Sequence, residues 1–70
     1  MELQIGKQYY TRNGLKTEPL RESNNGTNYK FEAVMYEPQH KTPSIRDWLP
    51  NGRYLTGEIQ HGFDLVCEVE

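Results

Sequence analysis

The stretch RDWLPNGRYLTGEIQHGFDLV, residues 46–66, bears most directly on the fold of this chain. Its Asn51-Gly52 pair suits a turn that requires positive φ, and two extended segments beside such a pair are the strongest short-range signal for a β-hairpin. We therefore predict that residues 44–49 and 53–56 form the arms of a hairpin, with a primed turn at Asn51-Gly52 between them.

The C-terminal end of the sequence alternates apolar and acidic residues more regularly than any other segment. Phe63, Leu65, Cys67 and Val69 share one face of an extended chain, because successive side chains of a strand point to opposite sides. The pattern predicts a strand over residues 63–69 that closes the sheet. Cys67 is then expected to lie on the apolar face as a small hydrophobic residue.

Two further Asn-Gly pairs divide the N-terminal half into extended segments. Residues 7–12 precede the pair Asn13-Gly14 and are predicted to form the first strand. Residues 15–22 are predicted to form the second. Because Pro19 has no backbone N–H to donate to a ladder, this second strand must be an edge strand, bulged, or broken near the proline.

Residues 29–37, YKFEAVMYE, follow the polar loop that holds the third Asn-Gly pair. Their period of two is the signature of a strand with one face on the core. We predict that Phe31 and Ala33 point inward. Val34 and Tyr36 then point outward or toward a second, smaller cluster.

Residues 38–44 contain two prolines and are predicted to be a flexible excursion. Residues 42–49, which overlap the end of this excursion, fit two structures. Thr42 and Pro43 resemble the start of a helix, but the segment that ends at Pro50 is too short for more than a marginal helix. We predict a strand here, with a single helical or 3₁₀ turn as the alternative.

These segments together predict an all-β domain that spans residues 1–70. Five or six short strands with hairpin connections suggest a small SH3-like barrel or a strongly curled antiparallel meander. An open sheet of this size would leave long edges that promote aggregation, and closure or strong curling protects them.

The composition excludes several classes of protein. A net charge of −2 argues against a protein that coats duplex DNA, which needs a concentrated Lys/Arg surface. A single cysteine cannot form an intramolecular disulfide, and no secretory signal or membrane-spanning apolar run is visible. We therefore expect a soluble protein in the cytoplasm. In that setting the sequon Asn25-Gly26-Thr27 is interpreted as a turn and not as a glycan acceptor.

No catalytic or metal-binding constellation is visible, so we predict that the protein is not an enzyme and binds no metal or cofactor. The histidines His40 and His61 and Cys67 lack the paired spacing of a zinc site, and a thiolate-imidazole pair is the weaker interpretation of Cys67. The scattered carboxylates are predicted to be solvated surface charges: Glu18, Glu22, Glu37, Asp47 and Glu58.

The aromatic residues offer the one candidate binding surface. One face of so small a barrel cannot bury all of Tyr9, Tyr10, Tyr29, Tyr36, Trp48 and Tyr54. Arg46 and Trp48 share a strand face, and Arg53 can approach them from across the hairpin. Arg46, Trp48, Arg53 and Tyr54 are therefore the candidate binding residues, because arginine-aromatic clusters bind bases, nucleotides or protein hot spots. The alternative is an arginine stacked as a lid over a core tryptophan.

Three motifs and one aromatic residue resemble a group of small accessory proteins of tailed phages and prophages. They are TRNG at 11–14, NGRY at 51–54, DLV at 64–66 and Trp48, whereas residues 15–43 depart from the pattern. The resemblance implies a phage source and a similar fold, and it carries over no functional residue. We expect an interaction module that binds a host or phage protein. A small ligand, a nucleotide or single-stranded nucleic acid is the alternative partner.

Overall fold

The computed structural model describes residues 2–57 and 59–70, which form five short β-strands and no helix. The strands are β1 (Tyr9–Thr11), β2 (Arg21–Glu22), β3 (Phe31–Met35), β4 (Ser44–Trp48) and β5 (Leu65–Glu68). β1 pairs with β5, and β2, β3 and β4 form a second sheet in that order, with all pairs antiparallel. The predicted all-β class is confirmed.

The segment that follows β1 connects the two sheets. Gly14 N donates to Thr11 O at 3.0 Å, and Thr11 N donates to Leu15 O at 2.7 Å, with Gly14 at φ +90°. This is a three-residue hairpin loop in which the glycine forms a bulge. Beyond it, Lys16 pairs with Tyr10 of β1 and Thr17 pairs with Met35 of β3. The short stretch therefore belongs to the edges of both sheets.

Of the alternatives predicted for the second strand over residues 15–22, a break near Pro19 is observed. Pro19 is exposed between the bridge at Thr17 and the start of β2 at Arg21, and β2 is only 2 residues long. β2 is also an edge strand, as expected where a proline cannot contribute a ladder hydrogen bond.

β3 and β4 form the most extensive pairing in the molecule, from Phe31 opposite Trp48 to Met35 opposite Ser44. Ala33 and Met35 are buried and Phe31 is partly buried, whereas Tyr36 is 63% exposed. The predicted inward and outward faces are confirmed, and so is the strand within residues 42–49.

The turn after β4 is present, but the predicted hairpin is only half formed. Leu49 N donates to Arg53 O at 2.9 Å and Gly52 N to Leu49 O at 2.9 Å, and Gly52 has φ +89°. Asn51 does not have positive φ, so the primed turn is wrong and the loop is again a bulged three-residue hairpin loop.

Residues 53–56 are not a strand, which corrects the second arm of that hairpin. Instead of continuing along β4, Tyr54 N donates to Asp64 Oδ1 at 2.8 Å. Gly52 O accepts a hydrogen bond from Leu65 N at 2.8 Å, which brings the turn against the start of β5. The backbone thus turns toward β5 immediately after Gly52.

A β-bulge in β5 overturns the prediction for Cys67. Tyr10 pairs with Cys67 and Thr11 with Leu65, so Val66 is an extra residue on β5. Such a bulge reverses the alternation beyond it. Leu65 therefore points into the core, while Cys67 lies opposite the exposed Tyr10 and is itself exposed.

The core lies between the two sheets. Its buried apolar residues are Leu3, Tyr9, Leu20, Ala33, Met35, Trp48 and Leu65. Trp48 is 0% exposed and is the largest of them. Tyr9 is buried and Tyr10 is 40% exposed, which matches the opposite faces expected of neighbours in a strand. In a domain of this size, a few aromatic side chains supply much of the buried apolar area.

Candidate functional site

Two buried carboxylates, Glu37 and Asp64, organise the polar interior. The side chain of Glu37 is 0% exposed and that of Asp64 is 2% exposed. The prediction that the scattered carboxylates are solvated surface charges is therefore wrong for Glu37. Its carboxylate can be buried because hydrogen bonds from Arg46 and other donors compensate for the lost solvation. Glu58, another of that predicted set, lies outside the described residues.

Side-chain donors surround the Glu37 carboxylate. Arg46 binds it with a two-pronged contact, from Nε to Oε2 at 3.0 Å and from Nη2 to Oε1 at 3.0 Å. Ser44 Oγ also donates to Oε2, and Gln39 Nε2 donates to Oε1 at 3.3 Å. The hydrogen bonds from Arg46 lower the pKa of Glu37 and outweigh its burial, so the carboxylate is ionised at neutral pH.

The pairing of β3 with β4 explains why these groups meet. Ser44 lies opposite Met35 and Arg46 lies opposite Ala33, so both belong to the inward face. Glu37 continues the same inward alternation two residues beyond Met35. The cluster thus sits at the end of the β3–β4 pair where the proline-containing excursion connects the two strands.

Arg46 links this carboxylate to a group of aromatic rings. Its Nη1 donates to Tyr54 Oη at 3.1 Å, and its Cζ lies 4.9 Å from the centre of the Phe63 ring. The hydrogen bond to Glu37 raises the pKa of Arg46. The side chain remains 27% exposed. Three of its five N–H groups have partners among residues 2–57 and 59–70, so the guanidinium is held in place, and two donors have no partner within that part of the chain.

The rings beside Arg46 form one contiguous aromatic cluster. Tyr54 lies 4.7 Å from His61 and 5.3 Å from Phe63, measured between ring centres. Trp48 lies beneath them, with its ring 6.4 Å from Tyr54 and its Nε1 donating to Phe63 O at 2.7 Å. His61 Nδ1 accepts a hydrogen bond from Phe63 N at 3.0 Å, which places the proton of a neutral His61 on Nε2.

Backbone amides hold the Asp64 carboxylate. Tyr54 N donates to Oδ1 at 2.8 Å and His61 N to Oδ2 at 3.0 Å. The guanidinium of Arg12 is more distant, with Nη2 at 3.4 Å from Oδ2. Burial raises the pKa of Asp64, but the two amides and Arg12 more than offset it, so that the pKa lies below its ordinary value of 3.8.

The structure brings together some of the predicted binding residues. Arg46 and Tyr54 are in direct contact and partly exposed, whereas Trp48 lies in the core and offers no surface to a ligand. The arginine lies over Phe63 and not as a lid over the tryptophan. Arg53 has a buried Nη1 with no hydrogen-bond partner among the described residues. A binding role for Arg46, Trp48, Arg53 and Tyr54 stays a prediction.

Sequence reasoning missed Glu37, His61, Phe63 and Asp64 as members of this site. The inward alternation of β3 extends to Glu37 and contained a usable signal. His61 and Phe63 come from an irregular segment whose path depends on Asp64, and no periodic pattern marks such a segment. The sequence pattern predicts Phe63 only as part of a strand face.

Several other kinds of site find no support in the part of the chain that the structure describes. Residues 2–57 and 59–70 contain no group of three His, Cys, Asp or Glu side chains that could hold a metal ion. No enclosed pocket is formed among them. The described residues form no helix, and therefore none that could cross a membrane.

Comparison of the chain with known protein families, with curated protein sequences and with solved structures finds no match.

Proposed function

We propose that this chain is a non-enzymatic interaction module built on an SH3-like barrel. Hydrogen bonds that join the two sheets at two separate places support the barrel. Glu18 N donates to Val34 O at 3.0 Å on one side, and Leu65 N donates to Gly52 O at 2.8 Å on the other. A sheet joined in this way has few open edges, which suits a small binding domain.

The observation that carries the proposal is the pre-oriented Arg46. Its guanidinium is fixed by Glu37 and Tyr54, packs on Phe63, and still keeps part of its surface and two N–H donors for a partner. Arginine and tyrosine are enriched among the residues that dominate protein interfaces. A side chain that is already ordered loses less conformational entropy on binding. We name Arg46, Tyr54, His61 and Phe63 the arginine-aromatic surface.

The proposed partner is a protein of a bacterial host or of a phage. The resemblance of the TRNG, NGRY and DLV motifs to small phage proteins supports a phage or prophage source, and the host cytoplasm is then the expected location. A macromolecular partner is favoured over a small molecule, because small molecules usually bind in concave pockets and no such pocket forms among the described residues.

Affinity capture from bacterial lysate, read out by mass spectrometry, tests the proposal when four immobilised proteins are compared: the native chain, two test variants and one control. The native chain should enrich a partner that Arg46→Gln and Tyr54→Phe both lose. The second variant removes only the hydroxyl that accepts from Arg46. Ile45→Thr is the matched control, because Ile45 is 58% exposed on the same strand but points to the opposite face.

A partner that binds Arg46→Gln and Tyr54→Phe normally, while both variants stay folded by circular dichroism, would contradict the proposal. A partner lost with Ile45→Thr alone would move the interface to the outer face of β3 and β4. There, Ile45 pairs with Val34 beside the exposed Tyr36.

A second candidate function is the binding of nucleotides or single-stranded nucleic acid to the same surface. The stacking of Arg46 on Phe63 favours it, because aromatic rings and arginine planes are the groups on which bases stack. Trp48 reports on the cluster through its edge contact with Tyr54. Titration with oligothymidylate or adenosine triphosphate at low salt should change its fluorescence. An unchanged signal at low salt would remove this candidate, since electrostatic binding is strongest there.

A further inference from the structure

The three Asn-Gly pairs share a chemistry that the fold controls differently at each site. In an Asn-Gly sequence the glycine nitrogen can attack the side-chain amide carbon of the asparagine. We propose that the structure suppresses this reaction at Asn13 and Asn51 and promotes it at Asn25, which makes Asn25 a site of spontaneous conversion to aspartate and isoaspartate.

The reaction is balanced without an external oxidant or reductant. The nitrogen of Gly26 loses its proton to water and forms a bond to Asn25 Cγ. The bond from Cγ to Nδ2 then breaks, and ammonia leaves with a proton from water. One water molecule adds to either carbonyl carbon of the resulting five-membered imide, and the bond from that carbon to the Gly26 nitrogen breaks. The products are an aspartate or an isoaspartate in the chain, and one ammonia molecule for each water consumed.

The first difference between the sites is the state of the nucleophile. Gly14 N donates to Thr11 O at 3.0 Å and Gly52 N donates to Leu49 O at 2.9 Å, so each is held within a hairpin loop. Gly52 is also buried. Gly26 N makes no hydrogen bond to any described residue, and Gly26 lies in an exposed loop. Only the nitrogen of Gly26 is therefore free to turn toward its neighbour's amide carbon.

The second difference is the support given to the amide oxygen, where negative charge develops during the attack. Asn25 Oδ1 accepts two hydrogen bonds from Thr27, one from the backbone N at 3.0 Å and one from Oγ1 at 2.6 Å. Asn51 Oδ1 accepts one, from Arg53 N at 2.9 Å, and Asn13 Oδ1 accepts one from Thr11 Oγ1. Paired donors on a developing oxyanion lower the barrier to its formation.

The product would change the adjoining sheet. Asn25 Nδ2 donates to Asp47 Oδ2 at 3.0 Å and so links the β2–β3 loop to β4. An aspartate or isoaspartate cannot donate that hydrogen bond and instead places a second negative charge beside Asp47. The loop of residues 23–30 should therefore loosen as the protein ages.

Peptide mapping by mass spectrometry of the intact folded protein, incubated at mildly alkaline pH, tests the inference. Asn25 should convert first. The rates of conversion at Asn13 and Asn51 should be roughly tenfold lower, which is a smaller effect on rate than the loss of an oxyanion donor has in an enzyme. In a parallel sample denatured in urea, all three sites should convert at similar rates. Thr27→Val should slow conversion of Asn25 in the folded chain, whereas Thr42→Val, a change in another exposed loop, should not.

Conversion of Asn13 or Asn51 in the folded chain as fast as that of Asn25 would overturn the inference. So would an unchanged rate at Asn25 in the folded Thr27→Val protein. Selectivity that persists in urea would assign the preference to local sequence and would equally contradict a role for the fold.

Discussion

Asp64 and Glu37 are both buried carboxylates near an arginine, but they are held in different ways. The oxygens of Asp64 accept from the backbone nitrogens of Tyr54 and His61, and its arginine is 3.4 Å away and partly exposed. Within the described residues, the donors to the Glu37 carboxylate are all side chains, chiefly Arg46 through its two-pronged contact. Asp64 thus fixes the path of the chain, whereas Glu37 fixes the orientation of another side chain.

This difference distinguishes Asp64, which maintains the fold, from Glu37, which belongs to the candidate site. Asp64 joins the irregular segment after Gly52 to the start of β5, a segment that has no ladder to order it. Glu37 lies two residues beyond the end of β3, a strand that is already paired with β4 along its length. Its main contact is the two-pronged one with Arg46, so we assign Glu37 the role of holding that guanidinium in position.

The largest expected effect is that of Asp64→Asn. The amide keeps the size of the carboxylate, but its NH₂ group would face either Tyr54 N or His61 N and leave that donor unsatisfied. We expect a loss of about 3 kcal/mol in the free energy of unfolding, measured by urea denaturation. That is a large share of the roughly 4 to 10 kcal/mol expected for a domain of this length.

Arg12→Met serves as the control for this variant. It removes an ion pair whose arginine side chain is 43% exposed, so the expected loss is under about 1 kcal/mol. If Arg12→Met destabilises as strongly as Asp64→Asn, the arginine and not the backbone holds the Asp64 carboxylate, and the two buried carboxylates do not differ in how they are held.

The two bulged turns provide a smaller test of the same architecture. Gly14 and Gly52 both have positive φ, so alanine is strained at either position. A Cβ at Gly14 meets nothing within 4 Å, whereas at Gly52 it would lie 3.2 Å from Leu65 O. We expect Gly14→Ala to cost about 1 kcal/mol and Gly52→Ala about 2 kcal/mol.

Thermal melting of the two alanine variants measures this difference. Equal melting temperatures would mean that the turn at Gly52 does not pack closely against Leu65 at the start of β5. A larger loss of melting temperature for Gly14→Ala would mean that the first hairpin loop contributes more to stability than the contact between Gly52 and Leu65.

The smallest expected effect is the loss of stability in acid. The pKa values of Glu37 and Asp64 are both lowered in the folded state, below their ordinary values of 4.5 and 3.8. Each carboxylate therefore contributes stability that is fully present above its ordinary pKa and is lost as the pH falls through its folded value. Urea midpoints should stay level near neutral pH and fall below about pH 4. In Glu37→Gln the fall should be shallower, and midpoints that rise on acidification would contradict the assignment.

The sequence predicted the regular parts of the fold because local chemistry determines them. Alternation located β3 and its inward face, Pro19 marked the broken strand, and the Asn-Gly pairs marked loops with glycine at positive φ. These features depend on neighbours along the chain. The prediction for Cys67 is wrong because a single bulged residue, Val66, reverses the alternation of side chains along β5. No sequence pattern indicates this bulge.

The candidate site was less predictable because it depends on contacts between distant segments. Residues 53–56 look like a strand, but the hydrogen bond from Tyr54 N to Asp64 redirects them. The pairing of Glu37 with Arg46 requires the register of β3 and β4, which periodicity alone does not give. Arg46 and Tyr54 were identified by residue type, and the buried carboxylate behind them was not.

The most direct test of the contrast is a pair of double-mutant cycles measured by urea denaturation. Glu37→Gln combined with Arg46→Met should show a coupling energy of about 2 kcal/mol, because the two side chains hold one another. Asp64→Asn combined with Arg12→Met should show less than about 0.5 kcal/mol, because backbone amides hold the aspartate. Equal coupling energies, or a larger value for the Asp64 cycle, would contradict the assignment of Asp64 to architecture and of Glu37 to the positioning of Arg46.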